Sequence, residues 1–483
     1  MLSPFQRVHS MRSLLLVVLL PGLSFAQPKV DPAKPLTRIV FGSCNDQDKP
    51  CPAWDAIAKQ KPDLLLFLGD TIYADLDKKQ KVTAELIKSK YDQLDTLPAF
   101  KILKSTVPML GVYDDHDFGK NDGDVKWPLK DDAQKILLDF YNVPLDSPRR
   151  SRKGVYHAEV YGPPGSRIQV IMLDGRYHLS GAIKGKYDPR VRTTPYIPNS
   201  AEDATFLGND QWAWLEVQLK QPAEIRLLCS GIQVLSEDHP FEKWMNMPNE
   251  RAKLYKLLRD TKAEGVIVLS GDRHLAELSM SLDALTYPLY DMTSSGFNQA
   301  TPSWRPPERN RHRVAAVPFG NNYGLVEIDW SRGTSPLVSL QLHDDDGRTL
   351  VRHDIRAGML KPSEQAAGGD KFGDKAAKLP EGVISATEAL TKVGDEVTMQ
   401  FAVKASNKTK DGKRLFLNSD ADFKGEQNFT VVLTGAILTE GKWKDADPAT
   451  FKGKTVRVKG KVSKFQEKPQ IVVNDEKTLE VVE

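Results

Sequence analysis

The chain has 483 residues, 40% hydrophobic and 27% charged. That is the make-up of a globular protein with more than one domain, and it excludes collagen-like, disulfide-knotted and wholly disordered chains. Lys and Arg number 67 against 64 Asp and Glu, a net +3, too small an excess to point to nucleic acid or an acidic membrane.

Arg7 and Arg12 precede an apolar run, Leu14 to Leu20, and the small-x-small triplet Ser24-Phe25-Ala26 follows. This pattern predicts a signal peptide over residues 1–26, cleaved after Ala26. The run is far shorter than the ~20 residues that span a bilayer. The expectation is a soluble, exported protein, periplasmic or secreted. Residues 36–356 then alternate apolar runs with amphipathic segments. Arg38–Phe41, Leu64–Leu68, Met109–Tyr113, Gln169–Leu173, Ile225–Val234 and Gly265–Leu269 read as strands. Pro52–Lys59, Asp131–Tyr141, Asp210–Lys220 and Asn249–Asp260 read as helices, with Asn209 as N-cap of the third. Tyr323–Trp330, Pro336–His343 and Thr349–Ile355 alternate with period two, and Asp345-Asp346-Gly347 turns the last two into a hairpin. Residues 357–381, rich in Gly, Ala, Lys and Pro, read as a linker. Residues 382–483 predict an all-β domain with strands at Val397–Val403, Arg414–Asn418, Phe429–Leu433, Thr455–Val462 and Gln470–Val473.

Four of the first domain's strands run directly into polar residues: Gly42-Ser43-Cys44-Asn45, Gly69-Asp70-Thr71-Ile72-Tyr73, Asp114-Asp115-His116-Asp117 and Ser270-Gly271-Asp272-Arg273-His274. Carboxyl ends of neighbouring strands converge on one rim in α/β folds. Thiolate, carboxylate, phenolate and imidazole together suit a transition metal, and surplus carboxylates suit a harder second ion. Two metals about 4 Å apart can hold a phosphate and activate water. That arrangement needs a shared carboxylate, and Asp70 is the candidate. His116, beside a metal-binding Asp, can protonate a leaving oxygen.

These segments, with Leu173-Asp174-x-Arg176 and Gln211-Trp212-x-Trp214-Leu215, resemble the PhoD-type alkaline phosphatases of the calcineurin-like metallophosphatase superfamily, over about residues 36–356. The resemblance implies a four-layer αββα sandwich in an α/β chain, with iron (Fe3+) and calcium (Ca2+) in the site. By motif position, Cys44, Asp70, Tyr73 and His274 would hold iron, with Asp70 bridging, and Asp115 and Asp272 would hold calcium. Zinc or manganese is the other metal choice. His116 would be the general acid, Asn121 would contact phosphate or the second metal, and Arg176 would clamp phosphate bidentately. His178 and His239 are read as surface residues or supports behind the site.

A Cys44–Cys51 disulfide is the competing reading, because it would remove the thiolate a metal requires. Cys229 reads as core. No Gly-x-Ser-x-Gly, Walker loop or dinucleotide fingerprint supports a serine hydrolase or NTPase. The C-terminal strands resemble a small OB-like barrel. Phe416, Phe423, Phe429 and Trp443 are the aromatics that could serve single-stranded nucleic acid or sugars there. The expected function is hydrolysis of phosphomonoesters and/or phosphodiesters by metal-activated water. From another class, the alternative is an exported binding protein with a degenerate site that captures a polymer through the barrel.

Overall fold

The computed structural model describes residues 27–189, 193–303, 308–362, 380, 382–390, 392–420, 428–444, 446–466 and 468–482. The expected signal peptide, most of the expected linker and Phe423 lie outside the described residues. The chain divides into two compact units, Met1–Gly373 and Asp374–Glu483.

In the first unit, β1 (Arg38–Gly42), α1 (Ala53–Gln60), β2 (Leu64–Leu68), α2 (Ala84–Thr96), α3 (Pro98–Thr106) and β3 (Met109–Val112) are followed by a single turn, α4 (Asp115–Phe118), and by α5 (Lys130–Phe140). Next come β4 (His157–Tyr161), β5 (Ile168–Met172), the small pair β6 (Ile183–Lys184) and β7 (Tyr196–Ile197), α6 (Asn209–Leu219), β8 (Ile225–Ser230), α7 (Pro248–Asp260) and β9 (Val266–Ser270). The unit ends with β10 (Ala276–Ser281), β11 (Leu289–Ser294), β12 (Arg313–Val317), β13 (Asn322–Asp329), β14 (Leu337–Asp344) and β15 (Thr349–Arg356).

Two mixed sheets result: six strands in the order β15-β14-β13-β1-β2-β3, and seven in the order β12-β10-β11-β9-β8-β5-β4. β1, β2 and β3 pair in parallel, as do β5, β8, β9 and β11. Parallel neighbours need crossovers, and right-handed crossovers place their helices on one face of each sheet. The other faces meet at β1, β11 and β13, which gives the αββα layering. β2 is Leu-Leu-Leu-Phe-Leu with every residue fully buried. A strand covered on both faces has no need to alternate, and each such side chain contributes about 1.5–3 kcal/mol.

Several sequence expectations shift. Asn209 is the first helical residue of α6 rather than its cap; Gly208, with φ 75°, precedes it. The strand read as Ile225–Val234 stops at Ser230, because the chain turns at Gly231, where a Cβ would stand 2.7 Å from an Asp114 carboxylate oxygen. Ala357–Leu360, read as the start of the linker, forms a 3-10 turn with Ala357 and Leu360 in the first unit's core. Helices α2 and α3 were not among the expected elements. Among the described residues no helix is long and apolar enough to cross a membrane.

Among the described residues the second unit is all-β apart from four short helical turns, two α and two 3-10. Its strands are β16 (Val383–Ser385), β17 (Glu396–Ala402), β18 (Ala405–Lys408), β19 (Arg414–Asn418), β20 (Thr430–Thr434), β21 (Thr455–Phe465), β22 (Lys468–Val473) and β23 (Leu479–Val482). They follow the path β16-β17-β21-β22-β20-β19-β18, with β23 on β21. The core holds Phe429, Val456, Val458 and Ile471. Two aromatics proposed for a binding face are therefore otherwise engaged: Phe429 is fully buried, and Trp443 packs on Phe451 at 5.1 Å.

Candidate active site

The loops leaving the parallel strands of both sheets meet at one rim. Cys44 follows β1, Asp70 and Tyr73 follow β2, and Asp114–Asp117 follow β3. Asp174 and Arg176 follow β5, Glu242 lies beyond β8, Asp272 and His274 follow β9, and Ser295 follows β11. Cys44, Asp70, Asp122, Asp272 and His274 all carry positive φ, from 49° to 61°. A left-handed non-glycine residue costs about 1–3 kcal/mol, and such strain gathers where function requires it. Gly69 (φ 103°) lets β2 pass Asp114 so closely that a Cβ there would stand 2.3 Å from the Asp114 Cβ.

Buried carboxylates hold the loops in place. Asp117 accepts from the backbone N–H groups of Asp114 (2.7 Å) and Thr71 (3.1 Å) and from the Tyr91 hydroxyl (3.3 Å), locking the β2 and β3 loops together. Asp174 accepts from Tyr113 and from the amides of Val155, Arg176 and Tyr177, while Gln211 pairs with its backbone.

The first cluster gathers Cys44, Asp70, Tyr73 and His274. Ligand atoms of Cys44, Asp70 and His274 lie within 4.8 Å of one another. The Tyr73 hydroxyl lies 3.1 Å from Asp70 Oδ2 and 3.3 Å from His274 Nε2. Cys44 Sγ lies 3.5 Å from Asp70 Oδ2. Ser295, not singled out in the sequence, completes this side. Its Oγ accepts from the backbone N–H of Arg273 (2.6 Å) and His274 (2.8 Å), so its own hydrogen is left for Cys44 Sγ at 3.1 Å. Burial pushes the Cys44 thiol up, and the hydrogen bonds from Ser295 and Ser43 pull it back.

The second cluster gathers Asp114, Asp115 and Asp272, and Asp115 also stands with Asp70 and His116. Asp70 thus belongs to both sides. Burial pushes Asp70, Asp114 and Asp272 above the ordinary carboxylate range, and neighbouring acids add to it. Asp115 lies below that range because His116 and Arg176 outweigh its burial. Asp114 Oδ2 and Asp115 Oδ1 are buried without a hydrogen-bond donor. Such lone pairs are costly unless a cation meets them. The donor sets therefore fit metal ions: sulfur, phenol and imidazole on one side, oxygens alone on the other.

His116 Nδ1 lies 2.6 Å from Asp75 Oδ1, and its ring packs on Tyr73 with centroids 4.2 Å apart. Burial opposes its charge, but Asp115, Asp70 and Asp75 outweigh that and lift its pKa to about 11. Asp75 was missed in the sequence, although it lies only two residues beyond Tyr73. Asn121 donates its backbone N–H to Asp75 Oδ2 (2.6 Å) and is itself exposed at the rim.

Arg176 departs from the role expected of it. The side chain is 1% exposed. Its Nε meets Asp114 Oδ1 at 2.5 Å and its Nη1 meets Glu242 Oε2 at 2.7 Å. Two faces of the fork are committed to internal carboxylates, and its Nη2 is buried without a partner. Glu242 also stands with Asp115 and Asp122, and Tyr196 donates to Asp122. His239 is buried, and burial followed by the nearby Arg273 and Lys243 keeps it neutral; His178 is half-buried. Cys44, Cys51 and Cys229 are free thiols, with Cys51 Sγ directed at the Phe297 carbonyl (3.5 Å). The alternative Cys44–Cys51 disulfide is not formed.

A family model described as PhoD-like phosphatase matches residues 39–295. The chain belongs to the PhoD-like phosphatase family. It is thereby a phosphoesterase. The matched range carries every strand end of the rim and stops short of β12–β15. Among solved structures, "Structure of PhoD" superposes with a TM-score of 0.51 at 16% identity, covering 72% of this chain and 76% of that one. That likeness establishes the shared fold. "GAP50 the anchor in the inner membrane complex of Plasmodium" aligns with a TM-score of 0.40 at 12% identity, over 67% of this chain and 89% of that one. No curated protein matches the sequence.

Proposed function

We propose that this PhoD-like chain is an exported, metal-dependent phosphoesterase that hydrolyses phosphomonoesters and/or phosphodiesters. The observation that carries the reading is the meeting of two chemically different donor sets on Asp70, at the carboxyl ends of two sheets. Cys44, Asp70, Tyr73 and His274 would hold the softer ion, with Fe3+ preferred, and zinc or manganese the other choice. Asp114, Asp115 and Asp272 would hold Ca2+. When bound, the ions supply Lewis acidity, polarising phosphate oxygens and lowering the pKa of water.

The chain's own residues do the rest. Asp75 fixes the His116 ring through Nδ1, which leaves Nε2 as the atom that hands a proton to the leaving oxygen. Tyr73 backs that ring. Asn121, at the rim, is placed for a phosphate oxygen. Arg176 steadies Asp114 and Glu242 and keeps the negative cluster from repelling itself open.

The test is elemental analysis of the purified protein beside hydrolysis of 4-nitrophenyl phosphate and its diester. About one iron per chain with calcium is expected. Asp70→Asn should lower turnover by on the order of 10²-fold or more and His274→Ala should lose the iron, both with an unchanged circular-dichroism spectrum. Wild-type turnover in these variants, or no stoichiometric metal after reconstitution under reducing conditions, would sink the assignment.

A further inference from the structure

Between α5 and β4 the chain reads Pro148-Arg149-Arg150-Ser151-Arg152-Lys153-Gly154, four cations in five positions. The segment is rigidly held. Gln134, 7% exposed on α5, donates to the carbonyls of Arg149 (3.2 Å) and Arg152 (2.8 Å) and accepts from the Gly154 amide (2.8 Å). Val155 next to it bonds Asp174 at 2.8 Å, so the segment is anchored to the strand-end rim that carries the candidate active site.

The charges on it are unevenly matched. Arg150 meets Asp139 at 2.7 Å. Among the described residues, no carboxylate lies within ion-pair distance of Arg149, Arg152 or Lys153. Arg149 spends Nη2 on the Val155 carbonyl (3.2 Å), and its Nε is buried without an acceptor. The Arg152 Cζ lies over Tyr156, 4.0 Å from the ring centroid, and 5.6 Å from that of Trp214; its Nε also lacks an acceptor. Behind them His157 is 4% exposed with Nε2 unbonded. Burial and mutual repulsion push Arg149 down to about 10. Partly desolvated guanidinium groups that no carboxylate meets at ion-pair distance, with N–H groups still lacking acceptors, are what an oxoanion binds.

We propose that Arg149, Arg152 and Lys153 form a second anion site, separate from the metal-ligand clusters, that takes a phosphate-type dianion. The anion is either a second phosphate on the ester substrate or free inorganic phosphate. The site stands whether or not the chain hydrolyses esters, because its test measures binding.

Inorganic phosphate is titrated by calorimetry into the full chain carrying Asp70→Asn, then into the same chain carrying Arg149→Gln and Arg152→Gln as well. One class of phosphate sites is expected to vanish from the second protein. Arg149→Lys with Arg152→Lys, which keeps the charges, should retain binding within about tenfold and guards against misfolding of the Gln variant. Identical isotherms for the parent and Gln variants would overturn the proposal. In the otherwise wild-type enzyme, 4-nitrophenyl phosphate kinetics should be unchanged by the Gln pair. A KM raised fivefold or more for adenosine 3′,5′-bisphosphate alone identifies the substrate's own phosphate as the ligand. Unchanged KM for both substrates, with the binding class lost, identifies free phosphate.

Discussion

At the scale of single residues, the buried pair of ion contacts made by Arg176 decides what that side chain is for. A guanidinium shared by Asp114 and Glu242, 1% exposed, leaves two uncompensated carboxylates when it is removed. Arg176→Ala should cost about 3–5 kcal/mol of stability in the metal-free protein, read by urea denaturation. A surface phosphate clamp would instead raise KM and leave the denaturation midpoint where it was. The two outcomes separate a counter-charge from a substrate ligand without structural work. Asp114 then acquires an orienting partner: Arg176 holds Oδ1, and the unbonded Oδ2 is the oxygen left for a cation.

At the scale of elements, the rim depends on the loops between strands, and ion pairs tie these down. Glu237, between β8 and α7, meets Arg251 of α7 at 2.9 Å, Arg311 at 3.3 Å and His312 at 3.3 Å. The hydrogen bond from His312, then the arginines, holds its pKa at about 2 against burial. A depressed folded-state pKa contributes stability that is present above the ordinary ~4.5 and is lost as pH falls towards 2. Glu237→Gln should therefore lose on the order of 2 kcal/mol at pH 6 after allowing for screening, with the gap to wild type closing by pH 2. Urea melts across that range would show it; a constant gap would assign the loss to packing.

Elements of this kind were unevenly legible in the sequence. Leu64–Leu68 and Val266–Leu269 declare themselves because buried parallel strands are unbroken apolar runs, and a polar residue directly after such a run marks the rim. Helix α2 is quieter: its buried face is only Ile87, Tyr91 and Leu94 in a lysine- and acid-rich segment. Asp75, Glu242 and Ser295 were out of reach because their roles come from loop geometry and from which strand neighbours which. Sheet order sets β5 beside β8 and β11 beside β9, and no local pattern encodes that. Arg176 was found by its motif, but its contact with Glu242 was not, since Glu242 lies 66 positions further along the chain.

At the scale of the whole molecule, two units with separate cores should unfold as two cooperative events. Calorimetry is expected to show two endotherms, and a chelator should lower only the one belonging to the unit with the donor clusters. A metal at 100 times its dissociation constant adds about 2.7 kcal/mol to that unit alone; a shift of both endotherms would mean the units melt as one. The left-handed strand ends bear on heredity as much as on energy. Lys61, Asn142 and Lys262 share the positive φ of Cys44, Asp70, Asp272 and His274, and glycine relieves strain equally at either group. A population bred for heat resistance alone, with metal withheld, would accept glycine at all seven positions and drift into sturdy, inert descendants. In such a population only selection on turnover or on metal binding would tell the two groups apart.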